Sequence, residues 1–299
     1  MELYVPRLIL VPTDLSDPAA HALRYASALG ERLGAHLLVI YADSFIPPTD
    51  FTARTAGVFH LSRDAMLATA REDLRKHAGQ NVSSRVPFDQ RVIIGEPLDA
   101  IMAQVRESGA DLVVMGTHGR TGVSRLMFGS VTEAVMRVVP VPVIAVNPTA
   151  TDTADVEKVL CPVTYTPACR DALRHAAALA SGPGAPLVLL RPADDDQARM
   201  GVDELNQLHG WLPVELADRC QMKLVSAANE AEQIVEAARK VHAQLIAFGV
   251  PAGRSATDSL LGTIAERVVQ QSRCPVLTVN PYAARVLPNS SCVFPLPGV

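Results

Sequence analysis

Gly116, Gly119 and Gly129, with Ser130 behind the last, are spaced G-x2-G-x9-G-S within MGTHGRTGVSRLMFGSVT, residues 115–132. Residues of this type at this spacing suit phosphate. Glycine lets main-chain N–H groups come close to anionic oxygens. A helix that starts behind the loop adds unpaired N–H donors and a partial positive charge. Ser130 and Thr132 bring hydroxyls, and Gly129 allows backbone contact. Far upstream, Asp14 in VPTDLS brings a carboxylate that can accept from ribose hydroxyls or an adenine amine. The chemistry on offer is that of holding a nucleotide.

Each of these residues also has a purely structural use. Asp14 can close a turn or cap a helix. Ser130 is a good N-cap with or without a ligand, and Thr132 a plain first-turn residue. His118 suits phosphate contact or proton transfer, and equally a solvated loop. Arg120 and Arg125 can pair with phosphates or with water, and the sequence does not decide. Asp17 followed by Pro18 reads as an N-cap and a first-turn proline. No lysine follows Gly129 in the P-loop manner, and G-x-x-x-x-G-K-[ST] is absent from the chain. The glycine fingerprint of dinucleotide folds belongs after the first strand, where this chain has PTDLSDP. There is no H-E-x-x-H and no G-x-S-x-G. Without a clear base or nucleophile, fast turnover is not supported. Slow ATP hydrolysis needs little beyond positioning and stays open.

The elements that must hold these residues follow from periodicity. In the amino half, strands are expected at residues 7–11, 36–41, 88–94, 112–115 and 142–146. Helices are expected at 64–77, 97–107 and 131–138. An earlier one carries Ala22, Leu23, Ala26, Leu29 and Leu33 at helical spacing. The strands are rich in Val, Ile and Leu rather than alternating, which predicts burial on both faces. Alternating strand and helix predicts parallel sheets flanked by helices, with ligands at the carboxyl ends of the strands near the topological switch point.

The pattern occurs twice. RLILVPTDLSDPAAHALRYASAL at residues 7–29 matches EKVLCPVTYTPACRDALRHAAAL at 157–179. Residues 111–148 align without a gap on 244–281. That register sets Gly116 on Gly249, Gly129 on Gly262 and Glu133 on Glu266. We therefore expect one domain over 1–148, a polar linker over 149–155 (TATDTAD), a second domain over 156–282, and a flexible tail over 283–299. The amino half also carries a long excursion over residues 43–63. The carboxyl half has an acidic run at 194–196 and an amphipathic stretch at 203–216.

The VPTDLS opening, the GEP tripeptide at residues 95–97, the G-x2-G-x9-G-S loop and the PVIAV strand together resemble the universal stress protein family, UspA-like, here as two family domains in tandem. The likeness runs over both halves. It implies two five-stranded parallel-sheet domains of Rossmann-like fold, akin to the adenine nucleotide α-hydrolases. It implies ATP or another adenine nucleotide, alone or with Mg2+, in the amino half. Pro12, Thr13, Asp14 and Ala42 would then face adenine and ribose. Met115 and Gly116 would meet the ribose side, with Gly119, Gly129, Ser130, Val131 and Thr132 about the phosphates; His118 and Arg120 of the same loop join the candidate binding residues on their own chemistry. It implies that the last strands, 143–146 and 276–279, meet within the chain as an intramolecular pseudo-dimer, with a homodimer of chains left open. In the carboxyl half Thr164 replaces Asp14, Ala252 replaces Gly119, Ala265 replaces Thr132 and Pro251 enters the loop, while Gly253 is displaced by one residue. Proline removes an N–H and stiffens the backbone, so weak or no ATP binding is expected there. The expected role is that of a nucleotide-dependent regulator in the stress response. Binding would tune residues 117–128 toward a partner. The alternative is an interaction module of the same fold that binds no nucleotide. A ligase or pyrophosphatase on a related fold would need a Ser-Gly-Gly-x-Asp-Ser loop after strand one, which is lacking.

Composition narrows the partners. The net charge of −4, the pI near 6.1 and 4% aromatic residues give no reason to expect nucleic acid or a membrane surface. No apolar run approaches the ~20 residues of a span. The five cysteines, all in the carboxyl half and without C-x-x-C, suit neither a disulfide framework nor a zinc site. The N-terminus reads as a first strand without a basic leader. A soluble, cytoplasmic protein is expected.

Overall fold

The computed structural model describes residues 5–43, 56–117, 129–151, 153–163, 166–180, 186–193, 210–212, 217, 220–226, 229–250 and 262–280. His118, Gly119 and Arg120, the second-half residues Thr164, Pro251, Ala252 and Gly253, and the tail lie outside them.

In the amino half the order is β1 (Leu8–Thr13), α1 (Asp17–Leu33), β2 (His36–Asp43), α2 (Ala56–Asn81), β3 (Phe88–Ile94), α3 (Pro97–Ser108), β4 (Leu112–Gly116), α4 (Ser130–Val138) and β5 (Val143–Val146). The carboxyl half continues with β6 (Val159–Pro162), α5 (Pro167–Leu179), β7 (Leu187–Ala193), β8 (Gln221–Ser226), α6 (Glu230–Val241), β9 (Leu245–Gly249), α7 (Gly262–Gln271) and β10 (Val276–Val279). Helix α2 starts eight residues before the expected position and takes in part of the 43–63 excursion. Its apolar signal is weak because it lies on the rim, with only Leu74 and Ala78 buried along the described face.

The strands form one sheet in the order β3-β2-β1-β4-β5-β10-β9-β6-β7-β8. Each half contributes a parallel 3-2-1-4-5 arrangement, and the two are joined by an antiparallel β5–β10 pair. The last strands thus do meet. Ala145 faces Val276, Ile144 faces Leu277 and Val143 faces Thr278. Both faces of the sheet are buried over its central strands, as the strand composition predicts, whereas the edge strand β3 has no buried residue. Ile9 and Val11 turn to one side, under α1, α2 and α5. Leu10, between them, turns to the other, under α3, α4, α6 and α7. Each of these two cores runs unbroken across the β5–β10 seam.

The local ties of one half recur in the other. The Asp111 carboxylate at the head of β4 accepts from the Arg7 and Leu8 N–H groups at the head of β1. At the equivalent place the Gln244 side-chain oxygen accepts from the Lys158 N–H at 2.8 Å. Carboxylate and amide do the same work of fixing the stagger of adjacent parallel strands.

Candidate functional site

Because β1 lies beside β4 while β2 and β5 flank them, the chain reverses direction of winding between β1 and β4. The helices that follow these strands leave on opposite faces, and a crevice opens between their ends. A cavity of about 260 Å³ occupies this crevice, lined by Pro12, Thr13, Asp14, Ala19, Ile40, Ala42, Pro97, Ile101, Met115, Gly116, Gly129, Ser130, Val131 and Thr132. Ten of the residues named from sequence come together here. His118, Gly119 and Arg120 belong to residues outside the described set.

Sequence reasoning missed Ala19, Ile40, Pro97 and Ile101. The signals existed. Ile40 stands two residues before Ala42 on β2 and so shares its face. Pro97 ends the GEP tripeptide, and Ile101 follows it by one helical turn.

The floor of the cavity is built from α4. Gly129 is its N-cap, with φ −67° and ψ 127°, and among the described residues no side chain caps the helix. The expectation that Ser130 is the cap is therefore corrected by one residue: Ser130 is the first helical residue. The reason is space. A Cβ on residue 129 would stand 3.2 Å from the Thr117 carbonyl oxygen, which accepts the Gly129 N–H at 2.9 Å. Any other residue would need that carbonyl to give by a few tenths of an ångström, which glycine avoids. A glycine cap leaves the first amides of α4 without a side-chain acceptor, and they border the cavity.

Thr132 takes a different part from the one read for it. Its hydroxyl is buried and donates to the Gly116 carbonyl at 2.8 Å. Together with Gly129 N–H to Thr117 O, this bond clips the start of α4 to the end of β4. The hydroxyl holds the first turn of α4 against the end of β4, at the border of the cavity.

The opposite wall is the turn after β1. Asp14 Oδ1 accepts from the Ser16 N–H at 3.1 Å and from the Ser16 hydroxyl at 2.5 Å. Ser16 in turn caps α1, its oxygen accepting from the Ala19 N–H at 3.3 Å. The cap is Ser16, not Asp17: Ser16 keeps extended φ and ψ while Asp17 is already helical. Leu15, between Asp14 and Ser16, has φ of 66°, a left-handed backbone that costs a branched side chain about 1–3 kcal/mol. The Leu15 N–H donates to Thr13 Oγ1 at 3.0 Å and helps to hold it there. His77 of α2 reaches the same hydroxyl, with Nε2 3.0 Å from Thr13 Oγ1. Burial holds its pKa below the usual imidazole range, and the nearby Asp14 carboxylate works against that. His77 was not singled out from sequence, because nothing local ties α2 to β1.

The middle of the cavity is apolar, with Ile40, Ile101, Met115 and Pro97 around it. The arrangement offers a slot for a flat apolar group, a carboxylate on one side and uncapped helix amides on the other. Among the described residues no group of three His, Cys, Asp or Glu side chains is placed to hold a metal ion. Nor is any described helix long and apolar enough to cross a membrane.

In the carboxyl half Gly249 occupies the place of Gly116. A Cβ there would fall 2.2 Å from the Cys169 nitrogen and 2.3 Å from the Ala168 carbonyl carbon. The first turn of α5 lies directly on it. Close helix-on-strand packing is sufficient reason for a glycine at this aligned position.

The universal stress protein family model matches residues 6–147 and 156–280. A universal stress protein of Methanocaldococcus jannaschii is 30% identical over 139 residues, covering 46% of this chain and 81% of its own. One from Thermus aquaticus is 32% identical over 142 residues, covering 47% of this chain and 98% of its own. Among solved structures, a universal stress protein from Archaeoglobus fulgidus aligns with a TM-score of 0.66 at 18% identity, covering 91% of this chain and 98% of that one. At that identity the likeness speaks for the fold.

Proposed function

This chain belongs to the universal stress protein family, and from that premise we propose that its amino half binds ATP or a closely related adenine nucleotide and acts as a nucleotide-dependent regulator in the stress response. The observation that carries the proposal is the cavity at the switch point. It sets the Asp14 carboxylate and the uncapped start of α4 on either side of an apolar slot. Adenine suits the slot formed by Ile40, Ile101 and Met115. Ribose hydroxyls suit Asp14. Phosphates suit the amides of Ser130 and Val131, where the helix end favours negative charge. The strained Leu15 beside Asp14 supports a functional turn, since such strain collects at binding sites.

On this reading the chain is a binding protein of the cytoplasm, and its carboxyl half serves as scaffold. Two measurements test it. Purified protein is denatured, and the small molecules it releases are identified; an adenine nucleotide is expected. ATP is then titrated calorimetrically into wild type and into Ala42→Phe, which fills the slot from the tip of β2. Binding by wild type and none by folded Ala42→Phe is expected. Equal heats from both would remove the cavity as the site. No nucleotide in either measurement would favour an interaction module of the same fold.

A further inference from the structure

We infer that Asn280, which lies in the carboxyl half, positions the anion-facing end of α4 in the amino half, so that the second half aligns a site it does not line. The inference rests on the nucleotide reading above.

Helix α4 is short and straight through one core. Its first three residues, Ser130, Val131 and Thr132, border the cavity. Nine residues span about 13 Å, so its far end lies at the seam between the halves. There the chain leaves the helix at Val139, a fully buried residue whose N–H donates to the Val135 carbonyl. The Val139 carbonyl accepts from Asn280 Nδ2 at 2.6 Å. Asn280 is itself buried, immediately after β10. The helix is thus pinned twice. Its own half pins the start, through Thr132 to Gly116. The other half pins the end, through Asn280 to Val139. A rod this short transmits a displacement at one end to the other, because its internal hydrogen bonds leave no soft dihedral in between.

The repeat supplies an internal comparison. The register that sets β5 on β10 also sets Asn147 on Asn280. Asn147 Nδ2 points across the seam to the Gln270 carbonyl in the last turn of α7, but at 3.5 Å. The approach to α4 is short, and the approach to α7 is both longer and made to a different place, since Gln270 is the counterpart of Arg137 and Ser272 that of Val139. The tighter tie lies on the helix that borders the cavity.

Truncating Asn280 takes this donor from the buried Val139 carbonyl. Its loss acts on the amides that face phosphate and not on the slot that faces the base. The test is calorimetric titration of the full chain with ATP and, separately, with adenosine, for wild type, Asn280→Ala and Asn147→Ala. Asn280→Ala is expected to lose about tenfold in ATP affinity and nothing in adenosine affinity. Asn147→Ala, which disturbs the same seam from the other side, is expected to change neither. Unchanged ATP affinity in Asn280→Ala overturns the inference. So does an equal loss for adenosine, or the same loss in Asn147→Ala. A wild type that binds no ATP overturns the nucleotide reading and the inference with it, a result distinct from a variant that binds as wild type does. Should Asn280→Ala fail to fold, hydrogen exchange on wild type decides. Amides of residues 133–139 are expected to exchange more slowly with ATP than with adenosine, and equal protection overturns the inference.

Discussion

Ile144 of β5 lies directly opposite Leu277 of β10, and each is the other's counterpart in the repeat. A pseudo-twofold axis therefore passes between them. On either side of it Val143 faces Thr278 and Ala145 faces Val276, the same pairing read from opposite directions. The contact is self-complementary, as in an isologous dimer, but covalently joined. It also covers two strand edges that would otherwise be open to other chains.

Both residues are fully buried, in a core shared by the halves. Leu277→Ala is expected to cost roughly 2–5 kcal/mol, and Ile144→Ala a similar amount. Because the core crosses the seam, each variant should shift one cooperative transition in chemical denaturation. Two separate transitions, with only one displaced, would contradict a shared core.

Two glycines should respond in opposite senses. At Gly249 a methyl group would collide with the backbone of Ala168 and Cys169, so Gly249→Ala should destabilise by roughly 1–3 kcal/mol or more. At Gly79, exposed in α2, a methyl group meets nothing within 4 Å. Gly79→Ala should stabilise by about 0.5–1 kcal/mol through helix propensity. Thermal melts of the two variants against wild type check both signs.

Thr132→Val keeps the shape and removes the hydroxyl that clips α4 to Gly116. It should cost roughly 1–3 kcal/mol, since a buried carbonyl loses its donor. It should also weaken ATP binding more than adenosine binding. Thr132→Ser keeps the donor and should restore most of both. Denaturation and calorimetry on the pair measure the effect.

Acid should destabilise the fold through His175. Burial in α5 lowers its pKa to about 4, against the pull of Asp171. The folded state holds this imidazole neutral while the unfolded chain takes up the proton near pH 6.5. Stability from this group is complete above pH 6.5 and falls as pH drops toward 4, by roughly 1.4 kcal/mol per pH unit and about 3 kcal/mol in all. His175→Gln should flatten the stability profile across that window, as read by denaturant midpoints at several pH values.

Much of the site was legible because its pieces are local. The glycine loop, the PTD turn and the first turn of α4 are short segments whose residue types state their backbone needs. Asp14 and Ser130 were expected together because alternating strands and helices imply a parallel sheet with a switch point. Errors of one residue arose at helix caps. Ser16 and Asp17 both suit a cap, as do Gly129 and Ser130 with their different merits, and only φ and ψ separate the members of each pair. His77 was out of reach, since its bond to Thr13 joins residues 64 apart. So was the bond from the Thr132 hydroxyl to the Gly116 carbonyl, 16 residues away, which needs β4 and α4 set side by side.

By itself the sequence determined the repeat, the order of strands and helices, the burial of the central strands and most of the residues that gather at the switch-point cavity. These follow from periodicity and from side chains whose preferences are met within a few residues. Tertiary structure alone decided the register of the seam, the clip from Thr132 to Gly116 and the reach of Asn280 to Val139, 141 residues away. The reason is that a hydrogen bond needs donor and acceptor within about 3 Å and in line, and residues far apart in a chain acquire that relation only when the cores between them have packed.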